Sequence, residues 1–312
     1  MIRHFIDLFD VTVGEATEML DLAAALKADN RKHAHRPQLL AGRTLGLVFD
    51  KPSLRTRVSF EAAITQLGGN ALFLNGKDVG LGTRETVADF ARVISQYVDA
   101  LAVRTFSQTT IEELARYATI PVINALSDSA HPCQALADLL TLREILGRLK
   151  GLKFTFVGDG NNVARSLAQA SALFGVDFVL ACPPGYEYPT EFAVKFAETY
   201  PGVPLTVEHD PAKAVERADA VYTDVWASMG QETELDSRKE VFAPYRVDAP
   251  LMALARPEAL FLHCLPARRG EEVTDAVLDG PQSRVIPQAA NRLHLQKALL
   301  AWLLKDNQAD AD

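Results

Sequence analysis

The chain has 312 residues, of which 48% are hydrophobic and 23% charged, and its formal net charge is −8. This length exceeds the usual size of a single hydrophobic core and predicts two domains of about 150 residues each. The negative net charge argues against nucleic acid or an anionic membrane as the main partner, so we expect a protein that acts on small molecules.

Strand-like and helix-like segments alternate along the first half of the chain. The strand candidates are short apolar runs at 44–49, 70–74, 100–103 and 121–124. The helix candidates have apolar residues at helical spacing and lie at 56–67, 86–97 and 111–117. Such alternation predicts a parallel sheet with helices on both faces.

A second alternating series starts after residue 151. Its strand candidates lie at 153–157, 178–181, 205–207, 220–223 and 260–263, and its helix candidates at 163–174, 191–198 and 211–217. A helical run at 133–149 contains the expected boundary, which predicts domains at 1–148 and 149–290. A last amphipathic helix, 291–306, opens near Arg292 and is expected to pack back on the first domain. The expected fold class is α/β, with two doubly wound parallel-sheet domains and an active site in the cleft between them.

The N-terminal segment and the cysteines indicate a reducing compartment. Charges interrupt the first ten residues, which lack the continuous apolar run of a secretion signal, and no window resembles a membrane span. The three cysteines, Cys133, Cys182 and Cys264, are odd in number and far apart, unlike a disulfide framework. We therefore expect a cytoplasmic protein.

Residues 51–57, Lys-Pro-Ser-Leu-Arg-Thr-Arg, follow the first strand and open a helix. The first N–H groups of a helix have no partner within it and carry partial positive charge. With Ser53 as N-cap and Arg55 beside it, the segment predicts a site for a phosphate dianion. The alternative is an ordinary capped helix whose arginines are solvated, and both interpretations stay open here.

Three more polar residues of the first half follow strand ends. Arg104 offers a planar, permanently charged guanidinium that suits phosphate oxygens. Pro132 is expected at the first position of a helix, which places His131 near the cap and Gln134 one turn later. From there both side chains can donate a hydrogen bond to a carbonyl oxygen. A structural histidine with satisfied hydrogen bonds is the alternative for His131.

In the second half, residues 157–162, Val-Gly-Asp-Gly-Asn-Asn, lead from a strand into a helix. The G-x-G-x-x-G spacing of a dinucleotide site is missing, which argues against a nucleotide-dependent dehydrogenase. Asn161 or Asn162 can instead hold the carboxylate or amine of a zwitterionic substrate. Two turn-forming asparagines at a helix start are the alternative.

Asp224 ends another predicted strand and is a candidate partner for a substrate ammonium group, although strand-end aspartates often only cap the next turn. Ser228, Met229 and Gly230 follow it in an expected mobile loop. A substrate amine and a closing loop would therefore meet at this strand end.

Residues 263–266, His-Cys-Leu-Pro, follow the last strand. Cys264 is either a buried inert thiol or a polar or reactive one that faces an arginine-rich cleft. The adjacent His263 suggests a metal ion, but no third ligand cluster has zinc-like spacing, so we expect no metal.

Taken together, these motifs resemble the aspartate/ornithine carbamoyltransferase family, and in particular its ornithine branch. Residues 53–57 are similar to the family's S-x-R-T-R signature and residues 131–134 to its H-P-x-Q motif. Asp224 with residues 228–230 resembles the ornithine-binding loop, and residues 263–266 resemble the pattern that separates the ornithine branch from the aspartate branch. The similarity extends to Asn291-Arg292.

The resemblance implies a homotrimer that transfers the carbamoyl group of carbamoyl phosphate to the δ-amine of L-ornithine, giving L-citrulline and phosphate without a cofactor. We expect a role in arginine biosynthesis, with arginine breakdown left open. The residues implied to bind carbamoyl phosphate are Ser53, Leu54, Arg55, Thr56, Arg104, His131, Gln134, Cys264, Leu265 and Arg292. Those implied to be catalytic are Arg55, Arg104, His131 and Cys264. Those implied to bind ornithine are Asn162, Asp224, Ser228 and Met229.

One position departs from the family pattern. Family members often carry Gln or His in a loop that reaches a neighbouring subunit's active site, and the matching position here is Gly80. Lys77 or Arg84 is a candidate replacement, and a catalytically silent subunit is an alternative. A carbamoyltransferase for putrescine or an N-acylated ornithine is another, although Asp224 favours a substrate with a charged α-amine.

Overall fold

The computed structural model describes residues 2–31, 37–227 and 235–306. The chain divides into two compact units, unit 1 with Met1–Leu140 and Asn291–Asp312, and unit 2 with Thr141–Ala290. Each unit contains its own parallel sheet, so the predicted α/β class with two parallel-sheet domains is confirmed. Within the described ranges, no helix has both the length and the apolar composition required to cross a lipid bilayer.

Unit 1 is built around a four-stranded sheet. Its elements in chain order are α1 (Val13–Arg31), β1 (Thr44–Phe49), α2 (Leu54–Gln66), β2 (Asn70–Asn75), α3 (Gly76–Val79), α4 (Val87–Ile94), β3 (Ala100–Arg104), α5 (Gln108–Tyr117), β4 (Val122–Leu126) and α6 (Pro132–Leu146). The strand order is β2-β1-β3-β4, and every pair is parallel. The order therefore reverses between β1 and β3. In open parallel sheets, ligands bind beyond the carboxyl ends of strands at such a switch point.

Unit 2 is built around a five-stranded parallel sheet. Its elements in chain order are β5 (Lys153–Val157), α7 (Asn162–Phe174), β6 (Asp177–Ala181), α8 (Thr190–Thr199), β7 (Thr206–Glu208), α9 (Pro211–Val215), β8 (Ala220–Thr223), α10 (Leu235–Phe242), α11 (Ala249–Met252), β9 (Leu260–His263) and α12 (Asp275–Leu278). The last helix, α13 (Val285–Asp306), begins in unit 2 and belongs to unit 1 from Asn291 onward. The strand order is β7-β6-β5-β8-β9. Here the switch point lies between β5 and β8.

Apolar side chains on both faces of the central strands explain why these sheets are layered between helices. All five residues of β3 are buried, as are five of the six in β1, so each strand needs cover on both faces. In unit 1, Val48 and Leu101 belong to one buried cluster with Phe90 of α4. In unit 2, Phe261 and Phe242 belong to another.

All nine predicted strands are present, and their bounds differ from the predicted ones by no more than two residues. The helix predicted at 86–97 ends earlier, at Ile94. There the Ser95 hydroxyl donates to the Ala91 carbonyl at 2.6 Å and accepts from the Thr119 N–H at 3.1 Å, so its side chain adds two hydrogen bonds where the helix ends.

The prediction that Arg292 opens the last helix is wrong. α13 begins at Val285, six residues before the predicted start. Pro287 lies in the first turn, where a missing N–H removes no helical hydrogen bond. Arg292 therefore lies about two turns inside the helix, and this rigid setting fixes its direction.

Candidate active site

The N-terminus of α2 begins the candidate site in unit 1. Ser53 is the N-cap, and its hydroxyl accepts from the Thr56 N–H at 3.2 Å. The N–H groups of Leu54 and Arg55 precede that of Arg57, which donates to the Ser53 carbonyl at 3.3 Å, and they point out of the helix end. The helix thus presents two N–H donors and its positive dipole end to an anion.

The two arginines of this motif have different surroundings. Arg57 is exposed; its Nε donates to Glu61 at 2.9 Å, and its guanidinium lies 3.7 Å from the ring centre of Phe73. Arg55 is half-buried and takes part in neither contact. Arg57 is therefore committed to the outer surface of the helix, which leaves Arg55 as the motif's candidate for phosphate.

Arg104 ends β3 at the switch point of unit 1. It is only 9% exposed and pairs in register with Phe49, the last residue of β1. Its carbonyl accepts from the Asp50 N–H at 2.9 Å, so the segment that leads into α2 is fastened beside it. The nearby Lys51 is also buried, and its ammonium lies 4.3 Å from the ring centre of Phe106. Two cations are thus held where β1 and β3 end.

A tight loop places His131 at the start of α6. The hydroxyl of Ser127 accepts from the N–H groups of Ser129 and Ala130 at 3.2 and 3.1 Å, which closes the loop. His131 itself is buried. Burial, with the charges of Arg292 and Arg104, holds the pKa of the His131 imidazole well below its usual range. The imidazole is therefore neutral near pH 7 and can act as a hydrogen-bond donor.

Arg292 connects α13 to two of the other predicted residues. Its Nη1 donates to Gln134 Oε1 at 2.5 Å and its Nη2 donates to Thr56 Oγ1 at 3.1 Å, and all three residues are buried. Because these oxygens accept from Arg292, the Thr56 hydroxyl proton can donate elsewhere.

Asp138 belongs to the same network and was not predicted. The Gln134 Nε2 donates to Asp138 Oδ1 at 2.8 Å, and Asp138 is fully buried. This contact and the one with Arg292 fix both ends of the Gln134 amide. The signal was available, since Asp138 lies four residues after Gln134 on the same face of a helix.

The candidate site in unit 2 begins at α7, after β5. Asn161 is the N-cap, and its Oδ1 accepts from the N–H groups of Val163 and Ala164 at 2.9 and 3.0 Å. Asn161 therefore has the capping role, which leaves Asn162 as the candidate for substrate. Gly160 is explained by packing, because a Cβ there would lie 2.6 Å from the Glu187 carbonyl oxygen.

Asp224 follows β8 directly, across the switch point from β5. Its Oδ1 accepts from the Val225 N–H at 2.8 Å and from the Cys264 thiol at 3.1 Å. The neighbouring Thr223 hydroxyl donates to the Val157 carbonyl at 2.7 Å, which ties the two strand ends together. With Oδ1 occupied twice, Oδ2 is the oxygen suited to a substrate ammonium group.

A buried ion pair supports the segment after Asp224 and was not predicted. Arg238 of α10 donates to Asp159 Oδ2 at 2.8 Å and to the Trp226 carbonyl at 2.9 Å. Desolvation raises the pKa of Asp159 from its usual value although Arg238 opposes the shift. Arg238 thereby fastens the residues on either side of the predicted substrate loop. The predicted Ser228 and Met229 lie outside the described residues.

Asp224, His263 and Cys264 offer ligand atoms within 4.8 Å of one another. The fold thus brings a third potential ligand, Asp224, to His263 and Cys264, although its position in the sequence does not have zinc-like spacing. However, the His263 Nδ1 accepts from the Leu265 N–H and its Nε2 faces Glu272, while the Cys264 thiol donates to Asp224. These atoms therefore form a hydrogen-bonded network, in which His263 has no nitrogen left for a cation. Within unit 2, the Cys264 thiol contacts the Asp224 carboxylate.

The predicted residues fall into two groups. The members in unit 1 lie on α2, β3, α6 and α13 or directly before them: Ser53, Leu54, Arg55, Thr56, Arg104, His131, Gln134 and Arg292. The described members in unit 2 follow β5, β8 and β9: Asn162, Asp224, Cys264 and Leu265. The first group is cationic and rich in donors, as a phosphate ester or anhydride requires. The second contains a carboxylate suited to an amine.

Comparisons with known proteins agree with this division. Residues 3–144 match the family model described as aspartate/ornithine carbamoyltransferase, carbamoyl-P binding domain. Residues 150–303 match the one described as aspartate/ornithine carbamoyltransferase, Asp/Orn binding domain. The two models together cover most of the chain.

Relatives of known name are similar over nearly their full length. The chain is 52% identical to the ornithine carbamoyltransferase of Anoxybacillus flavithermus over 305 residues, 97% of this chain and 96% of that protein. It is 51% identical to the Pyrococcus furiosus protein named ornithine carbamoyltransferase, anabolic, with the same two coverages.

A solved structure agrees as well. The structure of ornithine carbamoyltransferase from Pyrococcus furiosus has a TM-score of 0.92 and 50% sequence identity, covering 97% of each chain. Fold, site and sequence thus point to the same family that the motifs resemble. The chain belongs to the aspartate/ornithine carbamoyltransferase family.

Proposed function

We propose that the chain transfers the carbamoyl group of carbamoyl phosphate to the δ-amine of L-ornithine, giving L-citrulline and phosphate in arginine biosynthesis. The observation that carries this proposal is the clamp of Arg292 on Thr56 and Gln134. It gathers donors from α2, α6 and α13 beside a helix N-terminus. Unit 1 is thereby suited to a phosphate group with an adjacent carbonyl, and we assign it to carbamoyl phosphate.

The phosphate of the donor substrate is assigned to the start of α2. The N–H groups of Leu54 and Arg55 and the Arg55 guanidinium supply donors and positive charge. As the carbonyl–phosphate bond breaks, negative charge increases on the departing phosphate. The same donors therefore stabilise the leaving group more strongly in the transition state than in the bound substrate.

The carbonyl oxygen of the donor substrate is assigned to Thr56, Arg104 and His131. Attack on the carbonyl carbon places negative charge on this oxygen, and preorganised donors there lower the barrier. His131 donates from its neutral form, since its pKa is held low by burial and two arginines. Gln134, fixed by Arg292 and Asp138, offers its second amide proton to the same substrate.

Ornithine is assigned to unit 2, where Asp224 binds its α-ammonium group and Asn162 its carboxylate. The δ-amine resembles a lysine amine, with a pKa of about 10.4, and attacks only as the neutral base. The guanidinium groups around the donor substrate favour that neutral form. The amine loses one proton when the new C–N bond forms. The departing phosphate takes up this proton, so the overall reaction balances. Ser228 and Met229 are proposed to complete this half of the site.

An acceptor other than ornithine is the nearest alternative, and Asp224 argues against it. Putrescine has no carboxylate for Asn162, and an N-acylated ornithine has no α-ammonium for Asp224. A citrulline assay run beside assays with putrescine and N-acetylornithine tests this directly. We expect ornithine to have the highest kcat/KM by about a hundredfold, because the other acceptors leave polar groups without a partner. A higher kcat/KM for either of the others would overturn the assignment.

The homotrimer and the cytoplasmic location also belong to the proposal. Large apolar side chains of unit 1 are exposed, among them Leu54 at 75% and Tyr97 at 70%, which supports their burial against other subunits. Gly80 has φ +63°, and a Cβ there would lie 2.8 Å from the Arg84 Cβ. The loop as folded therefore disfavours a side chain at Gly80, and Lys77 and Arg84 are both candidates to replace the family's Gln or His.

A further inference from the structure

Leu265 has an unusual backbone conformation beside the candidate site. Its φ is +55°, and among the described residues Arg217 is the only other non-glycine residue with positive φ. The left-handed region is unfavourable for a branched residue such as leucine. A residue stays in such a conformation only when its surroundings fix it there. The contacts of Leu265 therefore indicate what its conformation serves.

The imidazole of His263 holds the backbone of Leu265. The Leu265 N–H donates to His263 Nδ1 at 2.8 Å. Because a backbone N–H can only donate, Nδ1 must be the unprotonated nitrogen of the ring. The ring is then neutral, with its proton on Nε2. If both nitrogens were protonated, the Nδ1–H and the Leu265 N–H would be two donors facing each other.

Glu272 holds the other side of the same ring. The His263 Nε2 lies 3.1 Å from Glu272 Oε1, and both side chains are 0% exposed. The same oxygen accepts from the Arg268 N–H at 2.6 Å, so the carboxylate is itself fixed. The Glu272 carboxylate accepts a hydrogen bond from the protonated Nε2. It thereby stabilises the tautomer that the Leu265 contact requires.

The strand end is anchored as well. The His263 N–H donates to Gln288 Oε1 at 2.9 Å, and Gln288 is fully buried. The next residue, Cys264, donates through its thiol to Asp224. The ring of His263 therefore lies between a fixed carboxylate and a turn whose residues, Cys264 and Leu265, are implied by the family resemblance to bind carbamoyl phosphate.

We propose that His263 and Glu272 are positioning residues for carbamoyl transfer. Glu272 fixes the Nε2–H tautomer of His263, and the His263 Nδ1 holds Leu265 in its left-handed conformation, which sets the direction of the Cys264–Leu265 peptide group. Neither side chain touches substrate, and both act through the turn. The role in the reaction rests on the proposed function, whereas the tautomer and the turn do not.

Two substitutions of His263 separate its two contacts. In His263→Asn the amide oxygen replaces Nδ1 and can accept from the Leu265 N–H, as in an Asx turn. In His263→Gln the amide group reaches the position of Nε2 and keeps only the contact with Glu272. We expect kcat of the Gln variant to fall about a hundredfold, with the KM of either substrate changed little, and the Asn variant to stay within about threefold of the wild type.

Activity measured on folded variants decides the proposal. Each variant is first compared with the wild type by thermal unfolding and by its oligomeric state. Equal kcat values for the Asn and Gln variants, whether both are normal or both are impaired, would overturn the role of Nδ1. If the Gln variant does not fold, the substitutions of Glu272 provide the same test.

Glu272→Gln keeps an oxygen that accepts from both the Nε2 proton and the Arg268 N–H, whereas Glu272→Met keeps the shape without an acceptor. We expect the Gln variant to retain kcat within about threefold and the Met variant to lose at least about tenfold. Wild-type kcat in the Met variant, or equal losses in both variants, would overturn the role of Glu272.

A second readout is independent of the proposed reaction. The alkylation rate of Cys264 depends on the direction of its thiol, so we expect it to change in His263→Gln and to stay at the wild-type value in His263→Asn. If the wild-type protein makes no citrulline, the proposed function is overturned. A difference in Cys264 alkylation rate between the two His263 variants would still support the role of His263 in holding the turn. Citrulline formation by the wild type combined with equal alkylation rates in both variants would overturn the positioning role alone.

Discussion

Arg292 donates to the hydroxyl of Thr56 at 3.1 Å, although 236 positions of sequence separate them. Since a guanidinium has no acceptor, the direction of this hydrogen bond is certain. The Thr56 oxygen is therefore an acceptor toward α13, and its proton is left for another partner. A residue of α13 thus sets the donor geometry at the N-terminus of α2, where we propose that phosphate binds.

Replacement of Arg292 by Ala should weaken carbamoyl phosphate binding strongly. A hydrogen bond from a charged group contributes about 1.5–3 kcal/mol, and Arg292 makes two in the interior, so we expect the dissociation constant to rise at least about tenfold. Isothermal titration with carbamoyl phosphate measures the change. Arg284→Ala is the control, because the side chain of that half-buried arginine donates to the backbone carbonyls of Pro281 and Ser283. An equal effect of both substitutions would contradict the role of Arg292.

Arg55 and Arg57 form a matched pair two residues apart. We expect Arg55→Ala to abolish saturable carbamoyl phosphate binding, because it removes the positive charge at the N-terminus of α2. Arg57→Ala should leave the affinity within about threefold, because it removes only an exposed ion pair with Glu61, which contributes little. Titration of both variants with the same ligand decides between the two arginines. Near-normal binding by the Arg55 variant would show that Arg55 was assigned wrongly.

Asp224→Asn should separate the two substrates. The amide keeps the shape and can still accept from Val225 and Cys264, but it no longer attracts the α-ammonium of ornithine. We expect the KM for ornithine to rise about tenfold to a hundredfold while carbamoyl phosphate affinity is unchanged. Steady-state kinetics with each substrate varied in turn measures both effects. A variant with wild-type KM for ornithine would remove Asp224 from the site.

The three cysteines should differ sharply toward iodoacetamide. Burial raises the pKa of the Cys133 and Cys182 thiols to about 12, so neither supplies thiolate at pH 8, whereas Cys264 is partly exposed. We expect alkylation of the native protein at Cys264 alone, measured by mass spectrometry of peptides. Cys264→Ser is the control and should give no labelled peptide. Labelling of Cys133 at a similar rate would contradict the buried position of α6.

His131 should make the protein less stable in mild acid. Its folded pKa is lowered, so below the unfolded value of about 6.5 the unfolded chain binds a proton that the folded chain does not. Above about pH 6.5 this destabilisation is absent. As the pH decreases below that value, the free energy of unfolding falls by up to about 1.4 kcal/mol per pH unit.

Urea unfolding between pH 5 and pH 7.5 measures this slope. His131→Asn should flatten it relative to the wild type, because the variant lacks the titrating imidazole at position 131, and His4, whose pKa is also lowered by burial, leaves a residual slope. An unchanged slope in the His131 variant would mean that another group causes the acid sensitivity.

Local patterns predicted the strands because most are short apolar runs, and the central ones, such as β1 and β3, are buried on both faces. β5, β8 and β9 have the predicted bounds. α1 was not among the predicted elements, although Ala16, Leu20 and Ala23 repeat at helical spacing and are buried. The signal for that helix was present in the sequence. The start of α13 was missed for another reason, since Pro287 was compatible with a helix only as part of its first turn.

The site was predictable only where its residues follow strand ends or belong to contiguous motifs. Ser53, Asp224 and Cys264 could be named because parallel strands bring their carboxyl ends to one edge of a sheet. Arg238 could not, since its partner Asp159 lies 79 positions away. Glu272 could not either, since no periodicity relates it to His263, nine positions earlier. Such contacts depend on how helices pack onto the finished sheet. Sequence patterns therefore identify the groups assigned to substrate more readily than those that hold them.

The path of the chain has a consequence for biosynthesis of the protein. Unit 1 begins at the N-terminus, yet its arginine clamp comes from α13, after the whole of unit 2 has been made. A nascent chain that has emerged from the ribosome only as far as α12 lacks the guanidinium that orients Thr56 and Gln134. If unit 1 binds carbamoyl phosphate as proposed, that binding therefore requires α13 to have been synthesised.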